Sequence, residues 1–213
     1  MSNQNLLIAI DGPSSSGKGT IAKKVAEHFN LPCLNTGALY RGMAFLALQS
    51  GLDLQNDEEK IIPLAQKLIE LDLESSELHN EEIGKAASIV AAKPSIRQAI
   101  FDLQRNFALD GLQKKHGAVL EGRDIGTVIC PDANYKFFIT ASAEVRAQRR
   151  FKQLQQNGQS ADYDLILQQL KTRDEQDKSR AVSPLKKADD AVEIETSQMN
   201  VVQVFEAILG YIK

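Results

Sequence analysis

Nine residues near the N-terminus, Gly12, Pro13, Ser14, Ser15, Ser16, Gly17, Lys18, Gly19 and Thr20, set two loop glycines five positions apart and directly ahead of a lysine. The run Leu6–Ile10 before them is apolar at every position, as a strand buried on both faces must be, and Asp11-Gly12 turns out of it. After them Ile21, Val25 and Phe29 recur at helical spacing. A glycine-rich loop between such a strand and such a helix lets successive N–H groups face an anion. The helix N-terminus adds positive potential there, and a lysine adds a full charge between the β and γ phosphates. The segment is read as a phosphate-binding loop.

The loop departs from the commonest pattern in one place, because Gly19 stands where a metal-binding hydroxyl would follow the lysine and Thr20 comes one residue later. This Gly-Lys-Gly-Thr variant resembles the nucleoside monophosphate kinases more than the GTPases or motor ATPases.

With 213 residues and a net charge of −3, the chain can bury one sizeable core and has no general attraction for nucleic acid or an anionic membrane. Phosphate binding must then come from locally placed Arg and Lys. Tryptophan is absent, which removes one stacking platform for nucleic-acid bases. The apolar run at the start is too short for a signal-peptide core or a membrane span, so a soluble, cytoplasmic protein is expected. Cys33 and Cys130 lie in or beside apolar runs and read as small hydrophobes, and His28, His79 and His116 lack partners at ligand spacing.

Strands expected at about Leu6–Ile10, Pro32–Asn35, Ala118–Glu121, Tyr135–Thr140 and Ala191–Glu195 alternate with helices, the pattern of an α/β fold whose five-stranded parallel sheet carries helices on both faces. Thr36 is placed as the cap of a helix running through Gln49 and ended by Gly51. Pro94 is placed as the first residue of a helix that buries Ile96, Ile100, Leu103 and Phe107. Ala143–Gln155 reads as another helix, and a last one buries Val201, Val204, Phe205, Ile208 and Ile212. Two polar segments break the alternation. In one, a short helix is expected from Pro63 ahead of the acidic run Asp72–Glu82; in the other, Asn157-Gly158 ends a helix and Ser160 is placed to cap the next, toward Arg180. The 213 residues are therefore read as a single domain, with core 1–51, 94–155 and 188–213, an insert 52–93 and a lid 156–187.

Three constellations follow the strand ends. Arg41 lies in the first turns of the helix after the second strand, near the sheet edge where open α/β folds bind ligands, or else it caps a neighbouring loop. Glu121, Arg123 and Asp124 leave the third strand between glycines. Glu121 there can orient magnesium through water or remain a solvated strand-end acid, while Arg123 and Asp124 contact ligand or pair at the surface. Arg173, Asp177 and Arg180 have offsets of 4 and 7 and share one helix face, with Asp174 and Lys178 read as a solvated pair. A second cluster, Arg146, Arg149 and Arg150, precedes them. Grouped guanidiniums repel unless anions sit between them, and their forks suit phosphoryl oxygens.

Five blocks in order carry a resemblance nearly end to end. They are Ile10-Asp-Gly-Pro-Ser-Ser-Ser-Gly-Lys-Gly-Thr20, Thr36-Gly-Ala-Leu-Tyr-Arg41, Ala86-Ala-Ser-Ile-Val-Ala91, Glu121-Gly-Arg-Asp-Ile-Gly-Thr-Val128 and Arg173-Asp-Glu-Gln-Asp-Lys-Ser-Arg-Ala-Val-Ser-Pro-Leu185. The chain resembles the bacterial cytidylate kinases. That resemblance implies transfer of the γ-phosphoryl of ATP to CMP or dCMP, with magnesium accompanying ATP, in a monomer; the alternative is another small-molecule kinase of the same fold. It implies that Arg41, Arg123 and Arg180 grip the acceptor phosphate, that Thr36, Ser88, Arg97 and Asp124 face the cytosine ring, and that Arg173 and Asp177 face the sugar. Lys18, Arg123, Arg173 and Arg180 are the expected catalytic set. The loop 12–20 with Arg149 and Arg150 is the expected ATP site, and Thr20 and Glu121 are the expected magnesium contacts. Longer members carry an antiparallel sheet in the insert, whereas Leu71–Gly84 here offers no clear hairpin.

Overall fold

A computed structural model describes residues 5–212. They form two compact units, 5–33 with 108–212, and Leu34–Phe107. In chain order the elements are β1 Leu6–Asp11, α1 Lys18–Phe29, β2 Cys33–Asn35, α2 Thr36–Gln49, α3 Glu58–Ile61, α4 Glu81–Ala91 and α5 Pro94–Lys115. There follow β3 Gly117–Gly122, β4 Tyr135–Thr140, α6 Ala143–Gln156, α7 Tyr163–Ser179, β5 Val192–Glu195 and α8 Val201–Tyr211. Short 3-10 turns cover Ile62–Ile69 and Ser76–His79, and a single π turn covers Ile125–Ile129.

The strands make one five-stranded parallel sheet in the order β2-β3-β1-β4-β5, the expected fold class, with each strand within a residue of its expected position. The apolar run of β1 puts it at the centre, where Leu7, Ile8, Ala9 and Ile10 are buried between β3 and β4. Asp11, its last residue, lies opposite Gly122 of β3 and Phe138 of β4. The loop after β1 and the turn after β3 therefore leave the sheet at the same edge.

In the first unit α1 and α8 cover the sheet. Ile21 and Val25 of α1 pack with Ile8, Ile10, Val119, Phe137, Ile139 and Ile194, and with Val204 and Ile208 of α8. Each such buried aliphatic chain contributes about 1.5–3 kcal/mol over an exposed one. A reciprocal cap between Asn200 and Gln203 starts α8. Helices α6 and α7 share a small cluster of Ala147, Ile166 and Leu170, extended by Phe151 and Tyr163, whose rings meet edge to face at 6.4 Å. Asp162 caps α7 by accepting the Leu165 N–H at 3.0 Å, in place of the expected Ser160. A carboxylate at this end also complements the positive pole of the helix dipole.

The second unit packs α2, α4 and the start of α5 around Met43, Ala44, Ala47, Ile61, Leu68, Val90, Ile96 and Ile100. Gly42 lets the helices pack closely there, since a Cβ would stand 2.7 Å from a Leu68 methyl and 2.9 Å from one of Leu71, and those side chains would have to shift. The cap of α2 is Asn35, whose Oδ1 accepts the Ala38 N–H at 3.2 Å, and Thr36 is the first helical residue instead. The amide side chain one position earlier reaches the third amide of the helix, the usual N-cap geometry. Pro94 opens α5 as expected, and Pro63 falls near the start of a 3-10 turn, where a missing N–H costs no hydrogen bond. Between residues 71 and 84 the described chain is turn and helix with no hairpin.

Candidate active site

The loop from Gly12 to Thr20 takes its shape from backbone choices that only certain residues allow. Gly12 has φ +152°, and a Cβ on it would stand 2.0 Å from the Ile139 carbonyl oxygen, so no side chain can pass β4 here. Ser15 at φ 60° and Gly17 at φ 91° turn the chain through the left-handed region. Gly17 then begins α1 with no side chain among the described residues capping it, so the first amides of the helix remain available to an anion. Arginines hold the loop through its carbonyls: Arg146 donates to Ser14 O at 3.2 Å, and Arg149 donates to Ser16 O at 3.1 Å and to Thr196 Oγ1 at 3.0 Å.

Lys18 is buried at the first turn of α1, its Nζ 3.2 Å from the Pro13 carbonyl oxygen and 3.7 Å from Glu121 Oε2. Burial first, and then the charge of Arg123, push its ammonium down to about 7, against the opposing pull of Glu121. Glu121, at the tip of β3, faces the first turn of α1: a Cβ on Gly19 would lie 3.4 Å from its Oε1. Glycine after the lysine thus leaves the space that this carboxylate borders.

Asp177 of α7 accepts the Arg123 Nε–H at 2.9 Å and lies 3.6 Å from Arg180 Nη1. Burial alone would raise its carboxyl. The charges of Arg123, Arg173 and Arg180, with the bond from Arg123, hold it below the usual carboxylate range. Within the first unit the structure therefore brings together Lys18, Glu121, Arg123, Arg173, Asp177 and Arg180, drawn from α1, β3, the turn after β3, α7 and its C-cap, for Arg180 stands in extended backbone just past the helix instead of on its face. Four basic side chains gather there with Glu121 and Asp177, and the buried Asp11 carboxylate interacts with both Lys18 and Asp124. Asp124 is buried in the turn after β3. Thr20 is exposed on α1, and Arg150 bonds Gln153 Oε1 at 2.9 Å on the outer side of α6.

The second unit holds the other expected contacts. Thr36 is buried at the start of α2, and Arg41 turns back over that first turn, its Nη1 3.4 Å from where a Gly37 Cβ would be. Arg97 lies over the Tyr40 ring at 5.3 Å and donates to the Ala91 carbonyl at 3.2 Å, while Ser88 Oγ donates to Gly84 O at 3.2 Å. A guanidinium stacked on an aromatic face and tied at one nitrogen has little rotational freedom left.

Two features were not anticipated from the sequence. Asp174 is not a solvated partner of Lys178: it receives both Nη1 and Nη2 of Arg146, the first at 3.0 Å, across α6 and α7. Its spacing on α7 pointed outward only because the packing of α6 against that face could not be read. Asp11 is the second. Its buried carboxylate accepts the Ile125 and Gly126 N–H groups at 2.8 Å each, and the available signal was an acid closing an otherwise apolar strand. Among the described residues no three or more His, Cys, Asp or Glu side chains gather as a metal site, and no helix is long and apolar enough to cross a membrane.

The cytidylate kinase family model matches residues 8–213. A cytidylate kinase of Methylocella silvestris is 48% identical over 204 residues, covering 96% of this chain and 92% of its own. One of Xanthobacter autotrophicus is 46% identical over 208 residues, covering 98% and 97%. Among solved structures, a sugar kinase of a Janibacter species superposes with a TM-score of 0.52 over 98% of this chain and 94% of its own, at 15% identity, a likeness of fold alone. The loop, the strand-end carboxylate and the arginine-bearing α7 thus occur in a chain matched almost throughout, and this chain belongs to the cytidylate kinase family.

Proposed function

We propose that the protein transfers the γ-phosphoryl of ATP to the phosphate of CMP or dCMP, giving ADP and CDP or dCDP. The observation that carries this reading is the cluster at the phosphate loop, where buried Lys18 and half-buried Arg123, Arg173 and Arg180 gather with Glu121 and Asp177. Guanidinium forks gathered beside a phosphate-binding loop suit phosphoryl oxygens, and phosphoryl transfer needs alignment and charge stabilisation more than covalent help. Family membership points the acceptor toward a cytosine nucleotide.

Lys18 acts on the β and γ phosphates within the loop 12–20, Arg149 supports that loop at Ser16, and Arg150 completes the donor side. Arg41, Arg123 and Arg180 hold the acceptor phosphate; Thr36, Ser88, Arg97 and Asp124 read the cytosine ring; Arg173 and Asp177 take the sugar. The acceptor phosphate is itself a nucleophile near neutral pH, so no side-chain base is required. Magnesium fits the site: Gly19 leaves room beside Glu121, and Ser16 Oγ, in the loop itself, is buried with no hydrogen-bond partner among the described residues. Thr20 and Glu121 would hold the ion, Glu121 through water, and when bound it neutralises charge developing on the phosphoryl oxygens. The segment 156–187 serves as a lid that excludes water, and 52–93 serves as the acceptor insert of one 213-residue kinase domain. The reading is of a cytoplasmic monomer whose partners are small nucleotides, with neither nucleic acid nor membrane among them.

An ADP-release assay across CMP, dCMP, UMP, AMP and GMP tests the assignment. CMP and dCMP should lead in turnover efficiency; a preference for AMP, or for a non-nucleotide acceptor, would overturn it.

A further inference from the structure

The carboxylate of Asp11 accepts two charge-assisted bonds, Ile125 N–H on Oδ1 and Gly126 N–H on Oδ2, both at 2.8 Å. These amides belong to the two residues directly after Asp124. On the other side, the Asp124 carbonyl accepts the Val128 N–H at 2.9 Å and the Ile129 N–H at 3.2 Å, closing the π turn. The backbone of Asp124 is thus held by two tethers within five residues, and its side chain is buried. Gly126 belongs to the same fit, since a Cβ there would stand 3.2 Å from Lys136 Cδ and 3.5 Å from Asp11 Oδ2.

A buried acid one residue ahead of an anion-binding loop is electrostatically out of place. Desolvation pushes its carboxyl up to about 7 against the two amide bonds that favour the ionised form, and the Asp124 charge pushes the same way. The Lys18 charge favours its ionised form, but its hydrogen bonds go to the turn after β3. What it does is join the strand that ends in the phosphate loop to the turn that carries Asp124.

We propose that Asp11 is a positioning residue for acceptor choice: by holding the Ile125 and Gly126 amides it sets where the Asp124 carboxylate stands, and so how strongly the amino group of cytosine is preferred over the carbonyl of uracil. The proposal rests on the assignment of Asp124 to the cytosine ring. An amide or hydroxyl at position 11 can accept one of the two N–H groups, but an amide turns its own N–H₂ toward the other. The turn then shifts, and the reading of the base weakens while the phosphate loop stays intact.

The test is a cycle of Asp11→Asn, Asp124→Ala and the double variant, each assayed for kcat/KM with CMP and with UMP and for KM of ATP. Asp11→Asn should lower the CMP-to-UMP ratio about tenfold, the size of one charge-assisted hydrogen bond, with KM for ATP within about twofold of the parent. The double variant should have the ratio of Asp124→Ala and no lower. A ratio unchanged in Asp11→Asn while Asp124→Ala loses it, or losses that multiply in the double variant, would overturn the positioning role. If Asp124→Ala itself keeps the ratio, the base assignment fails and takes the proposal with it. Should Asp11→Asn not fold, Asp11→Ser is measured in its place, with the same outcomes deciding.

Discussion

Arg146 of α6 and Asp174 of α7 form a two-pronged ion pair whose side chains are 5% and 14% exposed, and the same guanidinium also holds the carbonyls of Ala141 and Ser14. One side chain therefore links the phosphate loop, the end of β4 and the helix that carries Arg173 and Asp177 and leads into Arg180. A buried pair of this kind is costly to break from one side. We predict that Asp174→Leu alone destabilises the protein by about 3–5 kcal/mol, because it leaves a buried guanidinium with its charge uncompensated. The double variant Arg146→Met with Asp174→Leu should recover most of that loss. Urea unfolding of the three proteins checks it, and a double variant no more stable than Asp174→Leu would refute this account.

Lys18→Met should abolish transfer and yet stabilise the ligand-free protein near neutral pH. The Lys18 ammonium is pushed from its ordinary 10.5 down to about 7 in the folded chain, so between those values the folded state binds fewer protons than the unfolded state. Stability contributed by this group then rises with pH from about 7 to about 10.5, and the penalty is fully present below 7. Asp11 has the opposite slope: raised from 3.8 to about 7, it makes stability fall as pH rises across that interval. Measured unfolding free energies of Lys18→Met and the parent should differ most at or below pH 7 and converge toward pH 10. A difference independent of pH would contradict the burial penalty at Lys18.

Asp177→Ala should weaken both CMP and dCMP turnover, and CMP more. Both suffer because Arg123 and Arg180 lose the carboxylate that orients them, at 2.9 and 3.6 Å. CMP suffers further because only ribose offers a 2′-hydroxyl. The expected loss is on the order of a hundredfold for CMP, the equivalent of about 1.5–3 kcal/mol for a hydrogen bond to a charged group plus the misplaced arginines. Equal losses for the two substrates would leave Asp177 as an anchor for arginine alone.

Gly12→Ala should fail to give a folded, active enzyme. The added methyl would meet the Ile139 carbonyl oxygen at 2.0 Å, in backbone that cannot move without parting β1 from β4. By contrast Gly84→Ala, on the open face of α4, should be neutral or stabilising by about 0.5–1 kcal/mol, since nothing lies within 4 Å of its Cβ position. Thermal melts of both variants decide it; a Gly12→Ala protein melting within a few degrees of the parent would show that β4 yields.

What the sequence determined by itself was local and periodic. The apolar run Leu6–Ile10 dictated a central strand because only a strand covered on both faces buries every side chain. Gly12, Gly17 and Lys18 dictated the loop that follows, and the helical spacing of Ile21, Val25 and Phe29 dictated the helix. The arginines of α7 and the Glu121–Asp124 turn were legible too, as clustered charge that a net negative chain does not gather without use. Only tertiary structure decided which charges meet. Arg146 reaches Asp174 across 28 positions, Arg123 reaches Asp177 across 54, and Asp11 reaches Ile125 across 114. Pairings at such separations depend on the order in which parallel strands are laid side by side and on how α6 packs against α7. No local pattern encodes either, because a carboxylate that will be buried against a distant amide and one that will face water are the same residue until the sheet and its helices have assembled.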